Sequence, residues 1–272
     1  LDALAKLGLS PKAVHAITMP GPGTTARTKG NAHALAEAAS VELREIPIEA
    51  AVVQHLADLE HEGDHDIVYE NAQARERTQI LFNYANKVGG IVVGTGDLSE
   101  LALGWCTYNA DHMASYNVNA SVPKTMMAYL VRWYAAHRAG DDLGRVLGHV
   151  LETPISPELI PPEDGEISQK TESIIGPYEL HDFFLYHFLR TGASPTKIYA
   201  LARSSFAGDY SGEEIKKWMT VFFQRFMSQQ FKRTTLPPGP KVGTVSLSPR
   251  GDWRMPDEAS ADVYLREIEE LN

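Results

Sequence analysis

The 272-residue chain has a single cysteine, Cys106. One thiol makes neither an intramolecular disulfide nor a cysteine-based zinc site, which fits a reducing, cytosolic (cytoplasmic) setting. No apolar run is long enough to span a membrane, and the first residues lack the form of a secretory signal. Positive charge is scarce. With 25 Lys and Arg against 35 Asp and Glu, the formal charge is −10, the wrong sign for non-specific binding to nucleic acid. No internal repeat is present. What the chain does have is 43% hydrophobic residues, enough for a substantial core in one large domain or one domain with an appendage.

The stretch 69–108 organises the rest. A polar segment with Glu70, Asn71, Gln73, Arg75 and Arg77 leads into a helix whose apolar positions are Ile80, Leu81, Tyr84, Ala85 and Val88. Gly89-Gly90 ends that helix, and Ile91-Val92-Val93 has the all-apolar character of a buried parallel strand. The loop from Gly94 to Glu100 follows, with Asp97 or Ser99 able to cap the next helix. Open α/β sheets bind ligands beyond the carboxyl ends of their strands, and this loop is at such an end. Its glycines, the Thr95 hydroxyl and the Asp97 and Glu100 carboxylates suit a phosphate and a divalent cation. A plain strand-to-helix turn uses the same residue types for geometry alone.

Upstream, residues 1–9 read as the end of a helix stopped at Gly8, 14–19 as a strand, and 24–39 as a helix capped by Thr24 or Thr25. Residues 41–46 alternate as a strand does, and 49–59 are helical. Strands and helices alternating at this spacing predict right-handed βαβ units, a parallel sheet and an α/β fold. Downstream, helices are expected over 123–140, 179–190, 211–231 and 258–271. A proline-rich acidic loop is expected over 154–165 and an extended tail over 236–250. The stripe Ile215, Trp218, Met219, Phe222, Phe226 and Met227 is expected in a core or subunit interface.

Three tempting features are set aside. His61-Glu62-Gly63-Asp64-His65 spells the HExxH zinc pattern, but Gly63 and Asp64 sit where a stable helix is required, so a solvated acidic loop is expected. His181 and His187 are six apart and face different ways on a helix. Cys106 has no identifiable base beside it and reads as a small packing or pocket-lining residue.

Five segments carry a resemblance. They are Glu70-Asn71-Ala72-Gln73-Ala74-Arg75, Gly94-Thr95-Gly96-Asp97-Leu98-Ser99-Glu100, the run from Tyr116 to Thr125 (YNVNASVPKT), Gln230-Phe231-Lys232-Arg233, and the run from Ser248 to Arg254 (SPRGDWR). In that order they resemble the synthetase domain of glutamine-dependent NAD synthetases, over the stretch from about residue 14 to the end. The resemblance implies an ATP-pyrophosphatase of the adenine-nucleotide alpha-hydrolase-like kind. Its expected form is a Rossmann-like parallel sheet flanked by helices, with a helical C-terminal part and an extended tail. It implies ATP-dependent conversion of deamido-NAD to NAD through an adenylated nicotinate carboxylate, with Mg²⁺ and with ammonia from glutamine. The family's Ser-Gly-Gly-x-Asp-Ser phosphate loop is expected before Leu1, as is the glutaminase domain that supplies ammonia. Residues 1–272 are therefore expected to form one N-terminally incomplete synthetase domain, inactive alone, of a homo-oligomeric enzyme.

By the same resemblance, Thr95 and Lys124 are implied at ATP, and Glu100 at Mg²⁺ or at deamido-NAD. Asn71, Arg75, Trp105, Cys106, Thr107, Tyr108 and Lys232 are implied at deamido-NAD. The residue chemistry agrees: joining a carboxylate to a nucleotide brings two anions together and requires cations and donors around the phosphates. Two alternatives stay open, another amide ligase of the same class and a non-catalytic subunit of the same fold.

Overall fold

The computed structural model describes residues 1–156, 159–160 and 171–271. It divides the chain into two units, one of Leu1–Tyr84 with Ala128–Thr171 and the other of Ala85–Met127 with Glu172–Asn272.

The first unit opens with helix α1 (Asp2–Lys6), a 3₁₀ turn (Pro11–Ala13) and strand β1 (Ala16–Thr18). Helix α2 (Ala26–Ala38) starts where the Thr25 hydroxyl accepts the Thr28 N–H at 3.2 Å, as expected of a threonine cap. Strand β2 (Leu43–Glu45) pairs with β1 in parallel, Ala16 opposite Leu43, across the α2 crossover. Helix α3 (Glu49–Asp58) follows, then α4 (Ile67–Val88). The segment around Asn71 and Arg75, read as a polar lead-in, is itself helical. Asp66 accepts the N–H groups of Val68 and Tyr69 at 2.9 and 3.1 Å, and nothing from Ile67 onward is Gly or Pro until Gly89. The core here is small: Ile48, Val52, Leu56, Tyr69 and Ala72. His61 to His65 lie between α3 and α4, outside any helix.

In the second unit the Ile91-Val92-Val93 run corrects its expectation. It forms one parallel bridge, Val93 to Tyr116, and no longer strand. Only Val92 is buried, while Ile91 and Val93 are exposed. Short loops supply its partners: the Val92 carbonyl accepts from Ser115 and Tyr116, which does not extend into a ladder. Helix α5 (Leu98–Leu103) follows, then α6 (Lys124–His137), which begins just after Pro123 and belongs to the first unit from Ala128 onward. In the first unit, α7 (Asp141–Leu151) was not anticipated, because Gly144 and Gly148 lower its helix propensity. Gly144 is required there: a Cβ would come within 2.9 Å of the Ala135 carbonyl oxygen. The expected loop over 154–165 falls largely outside the described residues.

The remaining helices belong mostly to the second unit: α8 (Thr171–Ile175), α9 (Tyr178–Thr191), α10 (Pro195–Ser205), α11 (Gly212–Ser228), α12 (Gln230–Thr234) and α13 (Asp262–Glu269). The long helix expected over 211–231 breaks at Gln229, and α10, with its first-turn proline, was missed. The aromatic stripe of α11 is core. Ile215, Met219, Phe222, Phe223 and Phe226 are fully buried with Phe184, Ile198 and Leu180. The tail after Leu236 is extended as expected. It is pinned where Asn117 donates to the Pro238 carbonyl at 2.8 Å and Ser121 to the Pro240 carbonyl at 2.9 Å.

Candidate active site

The loop Gly94–Asp97 and helix α5 form the frame of the candidate site. Gly94 is buried, and a Cβ there would come within 2.8 Å of the Ala114 side chain, so packing of the chain itself needs this glycine. Asp97 and Glu100 form a reciprocal capping box. Asp97 Oδ1 accepts the Glu100 N–H at 3.0 Å, and Glu100 Oε2 accepts the Asp97 N–H at 3.3 Å. The other oxygen of each carboxylate meets one ammonium: Lys124 Nζ is 2.6 Å from Asp97 Oδ2 and 2.6 Å from Glu100 Oε1.

Electrostatics follow from this crowding. Burial first, and the Asp97 charge second, push the Glu100 carboxyl up to about 7, although Lys124 opposes them. Burial disfavours the Lys124 ammonium, but Glu100 and Asp97 outweigh it and hold its pKa above the ordinary value. The Tyr178 hydroxyl lies fully buried with no hydrogen-bond partner among the described residues, and Lys124 Nζ stands 5.5 Å from its ring. Burial and the neighbouring carboxylates keep that phenol protonated. Two carboxylates and a phenol ring thus surround one ammonium.

A second group of cations closes the C-terminal end of α5. Gly104 adopts the left-handed conformation (φ 57°), and a Cβ there would collide with Gln229. The Lys232 ammonium donates to the carbonyls of Gly104 and Cys106 at 2.8 and 2.7 Å. Arg225 donates to the Leu103 carbonyl at 2.9 Å and lies 5.1 Å from the Trp105 ring. The buried Arg233 donates to the carbonyls of Leu101, Ala102 and Phe226. Burial lowers the pKa of Lys232 and pushes the Cys106 thiol up to about 12, which suits a packing thiol and not a nucleophile.

A protein-family model described as NAD synthase matches residues 1–233. The chain belongs to the NAD synthase family. The glutamine-dependent NAD(+) synthetase of Mycobacterium leprae is 44% identical over 93% of the chain, which spans 41% of that protein. The protein of the same name from Synechocystis is 31% identical, with 93% of the chain and 42% of that protein covered. A crystal structure of a glutamine-dependent NAD(+) synthetase from Cytophaga hutchinsonii shares the fold with a TM-score of 0.74 at 21% identity, covering 93% of the chain and 40% of its own. The structure of an NMN synthetase from Francisella tularensis follows at a TM-score of 0.55 and 23% identity, covering 79% and 75%. The fold is thus the expected α/β kind.

Of the residues implied by the family motifs, Glu100 and Lys124 are in direct contact, and Thr95 is exposed in the loop before them. Trp105, Cys106, Thr107 and Tyr108 follow α5. Cys106 is held by Lys232, the Thr107 N–H donates to Asp111 at 2.7 Å, and Tyr108 stacks on His112. Asn71, half-buried, and Arg75, exposed, lie on α4 in the first unit. Of the two set-aside histidines, His181 is buried and neutral, pushed down to about 4 by burial, and bonds the Ile175 carbonyl. His187 packs on Phe183. Sequence reasoning missed Asp182, Tyr178, Arg225 and Arg233. Arg233 alone left a trace, as the last residue of the Gln230-Phe231-Lys232-Arg233 motif.

Among the described residues, no group of three His, Cys, Asp or Glu is arranged to hold a metal ion. Lys124 fills the space between Asp97 and Glu100 where a cation would go.

Proposed function

We propose that the full-length protein converts deamido-NAD to NAD. The nicotinate carboxylate attacks the α-phosphorus of ATP, the bond to the bridging oxygen breaks, and pyrophosphate leaves. Ammonia then attacks the acyl carbon of the adenylate, loses a proton, and expels AMP. The ammonia comes from glutamine through a glutaminase domain, as the names of the curated relatives suggest. Magnesium enters as part of the ATP substrate. Further parts of the proposal are a cytoplasmic location and a homo-oligomeric state.

The observation that carries this reading is Lys124, held by Asp97 and Glu100 at the start of a helix within a chain of the NAD synthase family. Lys124 takes up the ATP phosphates on leaving its carboxylates, and Thr95 offers its hydroxyl beside them. Glu100, released from Lys124, faces Mg·ATP or deamido-NAD. Asn71, Arg75 and residues 105–108 contact deamido-NAD, with Trp105 or Tyr108 stacking on the pyridine ring. Lys232, with two of its three donors on carbonyls, has one left for the dinucleotide.

The test is product analysis with the full-length protein, ATP, Mg²⁺ and either ammonia or glutamine, offering deamido-NAD against other nucleotide and amino-acid carboxylates. The expected result is NAD, AMP and pyrophosphate in equal amounts from deamido-NAD alone. Amidation of another acid, or no amide at all, overturns the reading.

A further inference from the structure

Helix α6 starts at Lys124 without a cap of its own, because Pro123 precedes it. Its first N–H groups nonetheless have partners. The Lys124 N–H donates to Ser99 Oγ at 2.8 Å, and the Thr125 N–H donates to Asp182 Oδ2 at 3.1 Å. The Thr125 hydroxyl donates to the same Oδ2 at 2.7 Å, and the Ser99 hydroxyl donates to Asp182 Oδ1 in a short hydrogen bond. One carboxylate from α9 therefore accepts at both oxygens. It holds Ser99 of α5 with one and the first turn of α6 with the other.

Ser99 lies between Asp97 and Glu100 in sequence, and Lys124 lies next to Thr125. The Asp182 clamp thus fixes the two backbone segments whose side chains make the ion triad. We propose that Asp182 is a positioning residue for Lys124: it caps α6 from outside and thereby sets the lysine against Asp97 and Glu100. This rests on the function proposed above, in which Lys124 meets the ATP phosphates.

Three donors are a strong reason for a buried carboxylate to stay ionised. Burial raises the Asp182 pKa, while the bonds from Ser99 and Thr125 oppose that rise. A negative charge at the first turn of α6 also suits the helix dipole. Without the carboxylate, the Thr125 N–H and hydroxyl both lose their shared acceptor, and the Ser99 hydroxyl loses its own. The first turn of α6 frays, and Lys124 no longer starts from a fixed point.

Steady-state kinetics on the full-length protein, with ammonia as nitrogen source, provide the test through a double-mutant cycle. Asp182→Asn keeps the shape but presents an amide N–H₂ to Ser99. It should lower turnover by roughly ten- to a hundredfold, the scale of one lost charge-assisted contact. Lys124→Met should lower turnover at least as far. If Asp182 acts through Lys124, the double variant should be no slower than Lys124→Met within about twofold. Losses that multiply would mean that Asp182 only supports the fold and would overturn the proposal. Should Asp182→Asn fail to fold, Ser99→Ala cuts the same relay at its middle and enters the same cycle with the same expected outcomes. If the unaltered protein forms no NAD, the function fails and the proposal with it; if it forms NAD and the losses multiply, the proposal fails alone.

Discussion

Around Phe222 the second unit packs ring on ring: Phe184, Phe223 and Phe226 lie with centroids 5.2 to 5.9 Å away, and His181 stacks at 6.2 Å. The first unit instead leaves an apolar hollow of about 800 Å³ lined by Ala16, Ile17, Ala32, Leu35, Leu130 and Leu147, among others. Buried aromatics contribute most per residue because each removes a large apolar area from water and adds edge-to-face contact. A sheet of two three-residue strands with an alanine-lined helix cannot match that. The difference also governs charge. The second unit holds Arg233, Lys124 and Asp182 by surrounding them with partners, whereas the first keeps its ion pairs outside, as Lys29 and His33 do with Glu45. Dense packing is what lets a few ions be placed to within a hydrogen bond.

The largest expected effect breaks the denser core. Phe222→Ala should lower stability by about 3–5 kcal/mol, read by denaturant unfolding, since it removes a fully buried ring with no room for collapse. A loss under about 1 kcal/mol would show that the second core is no tighter than the first.

Next comes pH. Between the ordinary value of 4.5 and about 7, the folded chain binds a proton on Glu100 that the unfolded chain does not. That contribution is complete below about 4.5 and gone above about 7, so stability should fall as pH rises through this window. At ~1.4 kcal/mol per unit, the fall amounts to a few kcal/mol at most. Glu100→Gln should flatten it, as measured by melting temperature from pH 4.5 to 8; an unchanged slope would remove Glu100 as its source. Asp66 in the first unit works in the opposite sense, because the Tyr69 and Val68 N–H groups hold its carboxyl below the usual range.

Lys232→Met should cost about 1–3 kcal/mol, because two half-buried carbonyls lose a charged donor. It should also weaken deamido-NAD binding roughly tenfold or more by calorimetry. Loss of stability with full affinity would confine Lys232 to closing the end of α5. The smallest effect is a gain: Ala32→Leu, projecting into the first unit's hollow, should add about 0.5–2 kcal/mol by filling space. A lower melting temperature would mean the hollow is already closed to a larger side chain.

Much of the site was legible because its residues are neighbours in sequence. Asp97 to Glu100 is a capping box, and a box needs only a three-residue spacing. Lys124 stood out beside a helix-starting proline. Asp182 was hidden because its partners Ser99 and Thr125 are 83 and 57 positions away, and nothing local marks an aspartate in an aromatic helix as a cap. The shortening of the Ile91–Val93 strand was hidden for the same reason, since the partners of Val92, Ser115 and Tyr116, lie elsewhere in the chain.

The sequence by itself determined the α/β alternation, the helix starts to within Thr24 or Thr25 and Asp97 or Ser99, the burial of the Ile215–Met227 stripe and the family. These depend on periodicity, short-range capping and motifs in order, all encoded within a few residues. Only the tertiary structure decided that one ammonium sits between Asp97 and Glu100, that Lys232, Arg225 and Arg233 converge on the end of α5, and that Asp182 caps a helix it does not belong to. Those facts depend on distances between residues far apart in the chain, which are fixed only once the aromatic core has brought α5, α9, α11 and α12 together.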